Sequence, residues 1–381
     1  MDRITKESGV EGYLVGGLIR DWLNGRPTRD VDLVLNRDAL KAARMFAQRT
    51  GGTFVLLREE GGMARVVLKD RTFDFAEFRG PDLKADLEGR DFTVNALTLS
   101  LSQAFGNDHW EPFDPFGGLQ DLQASILRPV SPDSFKRDPL RLLRAFRLSA
   151  QLGLALTPET LKAIRRSAAL LNRCAPERIR YEWLLFLSQA ESYPLLLKMD
   201  NTGLLAALLP ELVGLKGVAQ DRFHHLDAFQ HSLEAFHKLE DLIGKTVSLP
   251  PDLEEERVAF LSEPIKAAWL KWAALLHDLG KRETETLREG HQTFYGHARK
   301  SQDRFDIIAE RFRLGNREKD FIAHLIGWHM RPLNLLHEEA QKTLTRRAMI
   351  RLVQETEESL NGLFLLALAD SLAMQGPDKP A

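Results

Sequence analysis

Two aspartates separated by one residue, Asp30 and Asp32, are the side chains with the most definite chemistry in this sequence. Residues i and i+2 of a β-strand project from the same face, so a strand here places the two carboxylates side by side. Neighbouring like charges are unfavourable unless a cation lies between them. The pair therefore predicts a site for two Mg²⁺ ions, which can bridge a nucleoside triphosphate to an attacking hydroxyl. The alternative is a turn with two surface aspartates.

A glycine pair and a further aspartate extend this interpretation. Gly16 and Gly17 follow a strand-like segment and precede a short helical one, so backbone N–H groups there can approach a phosphate with no Cβ in the way. Asp74 lies between Phe73 and Phe75. Side chains alternate between the two faces of a strand, and this alternation predicts that both phenylalanines point to the core. Asp74 then faces the other way and is a candidate third carboxylate, unless it is only a solvent-facing strand residue.

Histidine is distributed unevenly along the chain. Of eleven histidines, one is His109 and the other ten fall between His224 and His337. This clustering predicts a separate C-terminal module with metal or phosphate chemistry, the alternative being an accident of composition.

The overall composition excludes several classes of protein. In 381 residues there are 52 basic and 54 acidic side chains, so a histone-like or polybasic protein is excluded. The single cysteine, Cys174, rules out an internal disulfide framework. No apolar run is long enough to span a membrane, and we expect a cytoplasmic protein. Twelve Lys and Arg against five Asp and Glu between Arg128 and Glu182 predict a local surface for a polyanion, or simply a solvated helix face.

The elements that must position these residues change in type along the chain. Residues 1–127 alternate strand-like runs with turns and one amphipathic helix over 38–52, which predicts a mixed α/β head. After about Ser131 the β signals stop, and successive helices are punctuated by Pro and Gly. We expect a head over 1–127, a helical neck and body over 128–215, a histidine-bearing helical domain over 216–374, and a disordered tail over 375–381.

Three motifs in order resemble a known family. Gly16-Gly17 and Arg20-Asp21 followed by Asp30-Val31-Asp32, then GRDFTVNAL from Gly89, then DPFGGLQDL from Asp114, resemble the motifs of nucleotidyltransferases that add CCA to tRNA 3′ ends and of bacterial poly(A) polymerases. The resemblance covers nearly the whole chain. It implies an α+β fold with a polymerase-β-like nucleotidyltransferase head, a helical neck and body, and a helical HD domain.

The resemblance also implies roles for residues of the head. Asp30, Asp32 and Asp74 are the expected catalytic residues, with Mg²⁺ as the cofactor. Gly16, Gly17, Arg20 and Arg90 are expected to bind the nucleotide, and the forked guanidinium donors suit a triphosphate. Asp91 and Asn95 can orient arginine, ribose or phosphate groups. Gly89 stands where the family pattern has a first arginine, so a contact made there in relatives is absent.

A second set of implied roles concerns base choice. Asp138 and Arg141 align with the family's EDxxR motif, and their spacing on a helix allows one acceptor and several donors to meet a Watson–Crick edge. Such a pair accepts C and A and rejects U and G. Arg144 belongs to the same nucleotide-binding set. An intrahelical salt bridge is the alternative, and Arg137 replaces the motif's glutamate.

The histidine-rich region resembles the HD phosphohydrolases. His231, His277, Asp278 and Asp370 match their metal ligands, and a divalent transition metal there can activate water against a phosphoester. His297 and His329 fall where ligands of a second metal would lie. The alternative is a degenerate HD fold retained for packing.

The family includes several activities. The implied reaction is template-independent addition of C and A to the tRNA acceptor end from CTP and ATP. The short connection GPDLKA over residues 80–85 favours a CC-adding enzyme, because CCA-adding relatives commonly have a longer loop there. Poly(A) synthesis is disfavoured, because GGTFVLLREEGG stands where a GRRF-like string is usual. A nucleic-acid-binding or nucleotide-sensing protein with an inactive transferase site is the non-enzymatic alternative. The sequence does not indicate the oligomeric state.

Overall fold

The structure, a computed structural model, describes residues 1–106, 110–220, 225–288 and 291–374. The chain divides into two compact units, one of Met1–Arg141 with Leu152–Ala163 and one of Leu142–Gln151 with Ile164 onward. The division into head, neck and HD domain at the residues given above stays a prediction. The expected disordered tail, 375–381, lies outside the described residues.

Unit 1 is built on a sheet that has six strands within the described residues, in the order β3-β4-β5-β2-β1-β6. The strands are β1 (Gly12–Val15), β2 (Asp30–Leu35), β3 (Thr53–Arg58), β4 (Met63–Leu68), β5 (Arg71–Glu77) and β6 (Thr98–Ser100). β2 and β5 pair in parallel, and the other neighbours are antiparallel. Five of these strands follow runs that alternation predicts, whereas the three-residue β6 was not predicted.

Helices of unit 1 pack on both faces of this sheet. They are α1 (Asp2–Ser8), α2 (Gly17–Leu23), α3 (Ala39–Thr50), α4 (Leu83–Glu88), α5 (Leu101–Ala104), α6 (Gly118–Gln123) and α7 (Ser134–Arg137). α3 is the predicted amphipathic helix, and it ends where Gly51 adopts a left-handed conformation with φ 71°. Its Phe46 packs with Leu33, Leu35 and Phe75 of the strands. Because the sheet face with Leu33, Leu35 and Phe75 is buried, the alternating residues between them point to the opposite face of the sheet.

α8 (Arg141–Leu152) and α9 (Pro158–Ser167) have residues in both units. The remaining helices belong to unit 2. They are α10 (Pro176–Leu187), α11 (Tyr193–Asn201), α12 (Leu204–Leu208), α13 (Pro210–Val213), α14 (Ala228–Ile243), α15 (Pro251–Leu261), α16 (Pro264–Leu276), α17 (Lys281–Thr284), α18 (His297–Arg311), α19 (Asn316–Trp328), α20 (Met330–Ala340), α21 (Arg346–Thr356) and α22 (Leu360–Ala373). Short 3₁₀ turns span Thr93–Asn95, Ala168–Arg173 and Glu357–Ser359.

The expectation that β structure stops after Ser131 is wrong in two places. β7 (Ile126–Leu127) pairs in parallel with β8 (Ala155–Leu156), and β9 (Thr286–Arg288) pairs antiparallel with β10 (His291–Thr293). Strands of two or three residues are too short to produce a readable alternation. They were therefore invisible to pattern analysis.

The buried centre of unit 2 includes one ion pair. Lys271 of α16 is 1% exposed, and its Nζ lies 2.6 Å from Glu240 Oε1 of α14 and donates to the carbonyl of Gln189 at 2.5 Å. Glu240 also accepts hydrogen bonds from the Ser192 backbone N–H and hydroxyl at 2.9 and 2.6 Å. The pair thus joins α14, which contains His231, and α16, which His277 follows, to the start of α11. Among the described residues, no helix is long and apolar enough to cross a lipid bilayer.

We expect Phe75→Ala to destabilise unit 1 by about 3–5 kcal/mol, because removal of a buried aromatic ring leaves a cavity. Phe75 is 1% exposed and its ring centroid lies 5.8 Å from that of Phe46. The measurement is the free energy of unfolding in urea. Phe105→Ala, at a 63% exposed position, is the control and is expected to change stability by less than about 0.5 kcal/mol. Equal losses in the two variants would contradict the packing described here.

Candidate functional site

Three aspartates of unit 1, hereafter the carboxylate cluster, lie on the sheet face opposite the Phe75 side. They are Asp30 and Asp32 of β2 and Asp74 of β5, and the parallel register sets Asp32 directly beside Asp74. The Thr72 hydroxyl donates a hydrogen bond to Asp30. Asp74 is held by both arms of the Arg65 guanidinium, at 2.7 and 2.8 Å. The expected side-by-side arrangement on one strand face is thus present.

The turn between β1 and α2 brings an arginine to this cluster. Gly16 has φ 75° and ψ −137°, a conformation that residues with a Cβ rarely adopt. A Cβ added there would lie 3.0 Å from Arg90 Nη1 and 3.5 Å from Asp32 Oδ2. The absent side chain therefore leaves room for Arg90 next to Asp32. Gly17 begins α2, as the sequence predicts.

The other predicted nucleotide-binding residues of unit 1 are bonded to one another. Arg20 Nη1 donates to Asn95 Oδ1 at 2.5 Å, and Asn95 Nδ2 donates to Asp91 Oδ1 at 3.0 Å. Arg20 also forms a two-armed ion pair with Asp21 at 2.9 Å. All three members of the chain from Arg20 to Asp91 are buried. The chain fixes α2 against the segment that carries Arg90, and direct contact of these residues with a nucleotide stays a prediction.

The DPFGGLQDL segment, residues 114–122, packs against Thr93 in the segment that carries Arg90. Asp121 is 1% exposed and accepts hydrogen bonds from the Thr93 hydroxyl and from Arg128, the latter at 2.7 and 3.1 Å. A Cβ on Gly118 would lie 2.2 Å from the Thr93 carbonyl oxygen. Asp114 accepts from the backbone N–H groups of Gly118 and Leu119 at 2.8 and 2.9 Å. The sequence showed this motif but not its function as a brace.

The geometry expected of Asp138 and Arg141 is wrong in one respect, because they do not share a helix. Asp138 has an extended backbone, φ −142° and ψ 99°, since the following Pro139 disfavours the helical conformation. α8 begins at Arg141. Arg141 donates to the carbonyl oxygens of Gly89 and Arg90 at 2.5 and 3.0 Å, which ties it to the segment that carries Arg90.

Arg144, one turn further along α8, pairs within unit 2. Its Nη1 lies 3.4 Å from Glu182 Oε1, and Arg147 Nε binds the other oxygen of Glu182 at 2.6 Å. Glu182 is 2% exposed, so this buried carboxylate joins α8 to α10 within unit 2. Nucleotide binding by Arg144 stays a prediction.

Six side chains from five segments of unit 2 converge in a second group, the histidine cluster. Its members are His231 of α14, His277 and Asp278 after α16, His297 of α18, His329 between α19 and α20, and Asp370 of α22. Each is at most 9% exposed. His231 Nε2 lies 2.8 Å from Asp370 Oδ1, and His277 Nε2 lies 3.2 Å from Asp278 Oδ2. The convergence predicted for these residues is present.

Backbone carbonyls set the orientation of three of the imidazoles. The Nδ1 atoms of His277, His297 and His329 lie 2.8, 2.8 and 2.7 Å from the carbonyl oxygens of Ala274, Phe294 and Ile326. A carbonyl only accepts, so Nδ1 carries a proton in each of the three rings and Nε2 is the nitrogen that faces the cluster. In His297 and His329, whose pKa values are lowered by burial, Nε2 presents a lone pair. His297 Nε2 and His329 Nε2 face each other at 3.1 Å. Facing lone pairs favour a cation between them.

The donor set fits divalent metal ions. Three overlapping triads place their ligand atoms within 4.8 Å of one another: His231, His277 and Asp278; His277, His329 and Asp370; and Asp278, His297 and His329. Asp278 belongs to the first and the last triad, as a carboxylate shared by two ions would. Nitrogen with carboxylate ligands suits transition metals. Among the described residues, every such triad lies in the histidine cluster, and the carboxylate cluster does not form one.

Burial governs the protonation of these groups. It lowers the pKa of His231 to about 4, against the opposing hydrogen bond to Asp370. Burial and the charges of His277 and His297 lower the pKa of His329 to about 3. For His277 burial is outweighed by Asp278 and Asp370, which raise its pKa to about 10. In the absence of metal, the cationic His277 offsets one of the two carboxylate charges, and Lys281, with its Nζ 2.6 Å from Asp278 Oδ2, offsets the other.

A cavity of about 1190 Å³ opens beside the histidine cluster. Asp278, His297 and Asp370 line it, together with the cationic Lys281 and Arg331. Lys281 Nζ lies 2.6 Å from Asp278 Oδ2, so a positive charge is present beside the histidine cluster. The cavity can hold an anionic substrate larger than free phosphate.

Comparison with known proteins identifies the domains. The family model described as "Poly A polymerase head domain" matches residues 12–85 and 80–128. A "Probable RNA and SrmB- binding site of polymerase A" matches residues 153–215, and an "HD domain" matches 228–375.

Relatives that match nearly the whole of this chain decide the family. An A-adding tRNA nucleotidyltransferase of Deinococcus radiodurans is 35% identical over 96% of this chain and 77% of its own length. A CC-adding tRNA nucleotidyltransferase of Thermus thermophilus is 33% identical over 97% of this chain and 78% of its own length. The chain belongs to the tRNA nucleotidyltransferase family. The resemblance seen in the three sequence motifs is thereby confirmed.

The fold of this tRNA nucleotidyltransferase agrees with a solved one. A tRNA-processing enzyme with CTP superposes with a TM-score of 0.71 at 24% identity, covering 99% of this chain and 93% of that chain. The predicted α+β fold, with a nucleotidyltransferase head followed by helical regions and an HD domain, is confirmed.

We expect Gly118→Ala to reduce nucleotide incorporation at least ten-fold. The new Cβ would overlap the Thr93 carbonyl and displace the segment that carries Arg90, and small displacements of this kind cost large factors in rate. Gly315→Ala, where the added Cβ would meet no atom within 4 Å, is the matched control. Steady-state incorporation and far-ultraviolet circular dichroism are measured together. A folded Gly118→Ala enzyme with full activity would contradict the bracing function.

Proposed function

We propose that this enzyme adds C and A nucleotides to the 3′ end of tRNA from CTP and ATP, without a nucleic-acid template. The observation that carries the proposal is the Asp30–Asp32 pair with Arg90 beside it across Gly16. The names of the two relatives above, one A-adding and the other CC-adding, each correspond to one half of this reaction and support C and A as the nucleotides handled by this family.

Three residues of the head have defined tasks in this reaction. Asp30 and Asp32 would hold Mg²⁺, which supplies charge neutralisation to the triphosphate when bound. Arg90 contacts the phosphates, with donors suited to their oxygens. The tRNA 3′-hydroxyl loses its proton to solvent as its oxygen bonds to the α-phosphorus of the nucleotide, the α–β bridging P–O bond breaks, and pyrophosphate leaves. Catalysis is mostly positioning and charge stabilisation.

The helical region that follows supplies selection and docking. Asp138 and Arg141 read the base edge of the incoming nucleotide, and Arg144 completes the same surface. Exposed arginines of the matched RNA-binding region, Arg165, Arg166 and Arg173, contact acceptor-stem phosphates.

CC addition alone is the second candidate. The connection from β5 to α4 is short and internally bonded: the Arg79 N–H donates to Asp86 at 3.1 Å, and Asp82 caps α4 by accepting from the Ala85 N–H at 2.8 Å. A Cβ on Gly80 would lie 2.6 Å from Cβ of Ala85. A tight connection of this kind leaves little freedom to rearrange between CTP and ATP, which favours an enzyme with one nucleotide.

We further propose that the histidine cluster is a metal-dependent phosphohydrolase centre. A transition metal held there by His231, His277, Asp278 and Asp370, with His297 and His329 for a second ion, would supply an activated water when bound. Lys281 and Arg331 attract the phosphoester, and the cavity holds the rest of the substrate.

The two chemistries should separate by mutation. We expect Asp32→Asn to reduce nucleotide incorporation at least a hundred-fold and to leave hydrolysis of p-nitrophenyl phosphate with Mn²⁺, Co²⁺ or Ni²⁺ unchanged. Asp278→Asn should have the opposite effect, because each carboxylate serves a different cluster. Retained incorporation in Asp32→Asn would overturn the transferase assignment.

Single-nucleotide resolution distinguishes the candidate products. The substrate is a tRNA transcript that ends at the discriminator base, with Mg²⁺ and labelled CTP, ATP or both. We expect CCA when both nucleotides are present. Arrest at CC, with no use of ATP on a tRNA that already ends in CC, would establish the CC-adding alternative. Use of ATP only on the CC-ending tRNA would mark an A-adding enzyme, and an unbounded A tract a poly(A) polymerase.

A further inference from the structure

The ion pair between Arg65 and Asp74 is the feature of the carboxylate cluster that the reaction above does not use. Arg65 lies on β4, directly opposite Asp74 in the antiparallel register of β4 with β5. Its Nε and Nη2 donate to the two oxygens of Asp74 at 2.7 and 2.8 Å. Both oxygens are therefore engaged by one rigid fork.

The direction of this fork matters because Asp74 stands between two neighbours. On one side it is paired in register with Asp32 of β2, and on the other with Arg65 of β4. Asp30, Asp32 and Asp74 do not bring their ligand atoms within 4.8 Å of one another, whereas Arg65 contacts Asp74 directly. The pKa of Arg65 is raised, first by its hydrogen bond to Asp74 and further by Asp30 and Asp32, so the cation faces the whole cluster.

We propose that Arg65 is a positioning residue of the transfer site: its fork holds Asp74 on the β4 side and cancels its charge, so that Asp30 and Asp32 alone set the affinity for the metal ion. The inference rests on the proposed transferase function. A carboxylate bound in this way keeps lone pairs that can accept a hydrogen bond from the tRNA hydroxyl, but it is not available to coordinate the metal ion. Arg65 thereby fixes both the charge of the cluster and the place of its third member.

The alternative is an ordinary exposed cross-strand pair. The side chains of Arg65 and Asp74 are 43% and 34% exposed, and such pairs contribute about 0–1 kcal/mol to stability. Unit 1 contains a matched example in Arg49 and Glu7, which are 44% and 45% exposed and also joined through two guanidinium nitrogens. Breaking that pair provides the control.

The test is a double-mutant cycle on metal affinity. Binding of Mn²⁺, as a probe for Mg²⁺, is measured by electron paramagnetic resonance in full-length protein carrying His277→Ala and Asp278→Ala, so that the histidine cluster does not contribute. Four charged groups make up the site: Asp30, Asp32, Asp74 and Arg65. Arg65→Gln removes the positive one, so the net charge becomes more negative by one unit, and we expect Mn²⁺ to bind about three-fold more tightly. Asp74→Asn removes one negative charge, and we expect Mn²⁺ to bind about three-fold more weakly. The double variant restores the balance and should bind as the parent does.

The conservative variant separates charge from geometry. Arg65→Lys keeps the charge but loses the fork, so Mn²⁺ affinity should stay at the parental value. The single-turnover incorporation rate at saturating Mg²⁺ should fall about ten-fold or more in both Arg65→Lys and Arg65→Gln, because Asp74 is no longer held. Arg49→Gln should alter neither quantity. Thermal unfolding of each variant confirms that the fold persists.

The outcomes distinguish this inference from the function on which it rests. Unchanged Mn²⁺ affinity in folded Arg65→Gln and Asp74→Asn, or effects equal to those of Arg49→Gln, would overturn the positioning role. Opposite shifts that cancel in the double variant support it. A parent enzyme that binds Mn²⁺ with these shifts yet incorporates no nucleotide would overturn the proposed function and leave the role of Arg65 in metal affinity standing.

Discussion

The parallel pairing of β2 with β5 is the constraint on which the transfer site depends. It sets Asp32 beside Asp74, and the i and i+2 spacing sets Asp30 beside Asp32, so three carboxylates share one face of the sheet. The opposite face is fixed by burial of Leu33, Leu35 and Phe75, and a shift by one residue would exchange the two faces. The apolar core thus holds like charges together at a place where only cations relieve them. Arg65 and Arg90 are two cations of the described chain that lie beside these carboxylates.

Support for this face comes from residues that do not touch it. The chain of hydrogen bonds from Arg20 through Asn95 to Asp91 joins α2 to the segment of Arg90, and Asp121 with Thr93 and Arg128 fixes that segment from the other side. Arg141 holds the carbonyls of Gly89 and Arg90. Several side chains of the family motifs therefore act on the position of one arginine. A motif residue with internal partners can be essential without contacting the nucleotide.

The histidine cluster follows a different rule. Its charges are buried, so each must be balanced within a few ångströms, and the backbone carbonyls that fix Nδ1–H direct three imidazoles inward. Segments distant in sequence supply its side chains, and the buried Lys271–Glu240 pair joins α14, which carries His231, to α16, which His277 follows. Transferase and HD centres are thus built by opposite means. One uses a partly exposed strand face, and the other uses a closed helical interior.

The sequence by itself determined the local features: the five longer strands of the sheet, the helix over 38–52, the Asp30–Asp32 spacing and the glycine turn. These follow from periodicity, from residue type and from motifs that fit within a few residues. The members of the histidine cluster came from the resemblance to the HD proteins. The tertiary structure decided what depends on long-range pairing. Examples are the fork of Arg65 on Asp74, the brace at Gly118, the engagement of Arg141 with Gly89, and the short strands β6 to β10. No local sequence pattern predicts these contacts and short strands, because strand register and the close approach of distant segments are set by burial of the whole core.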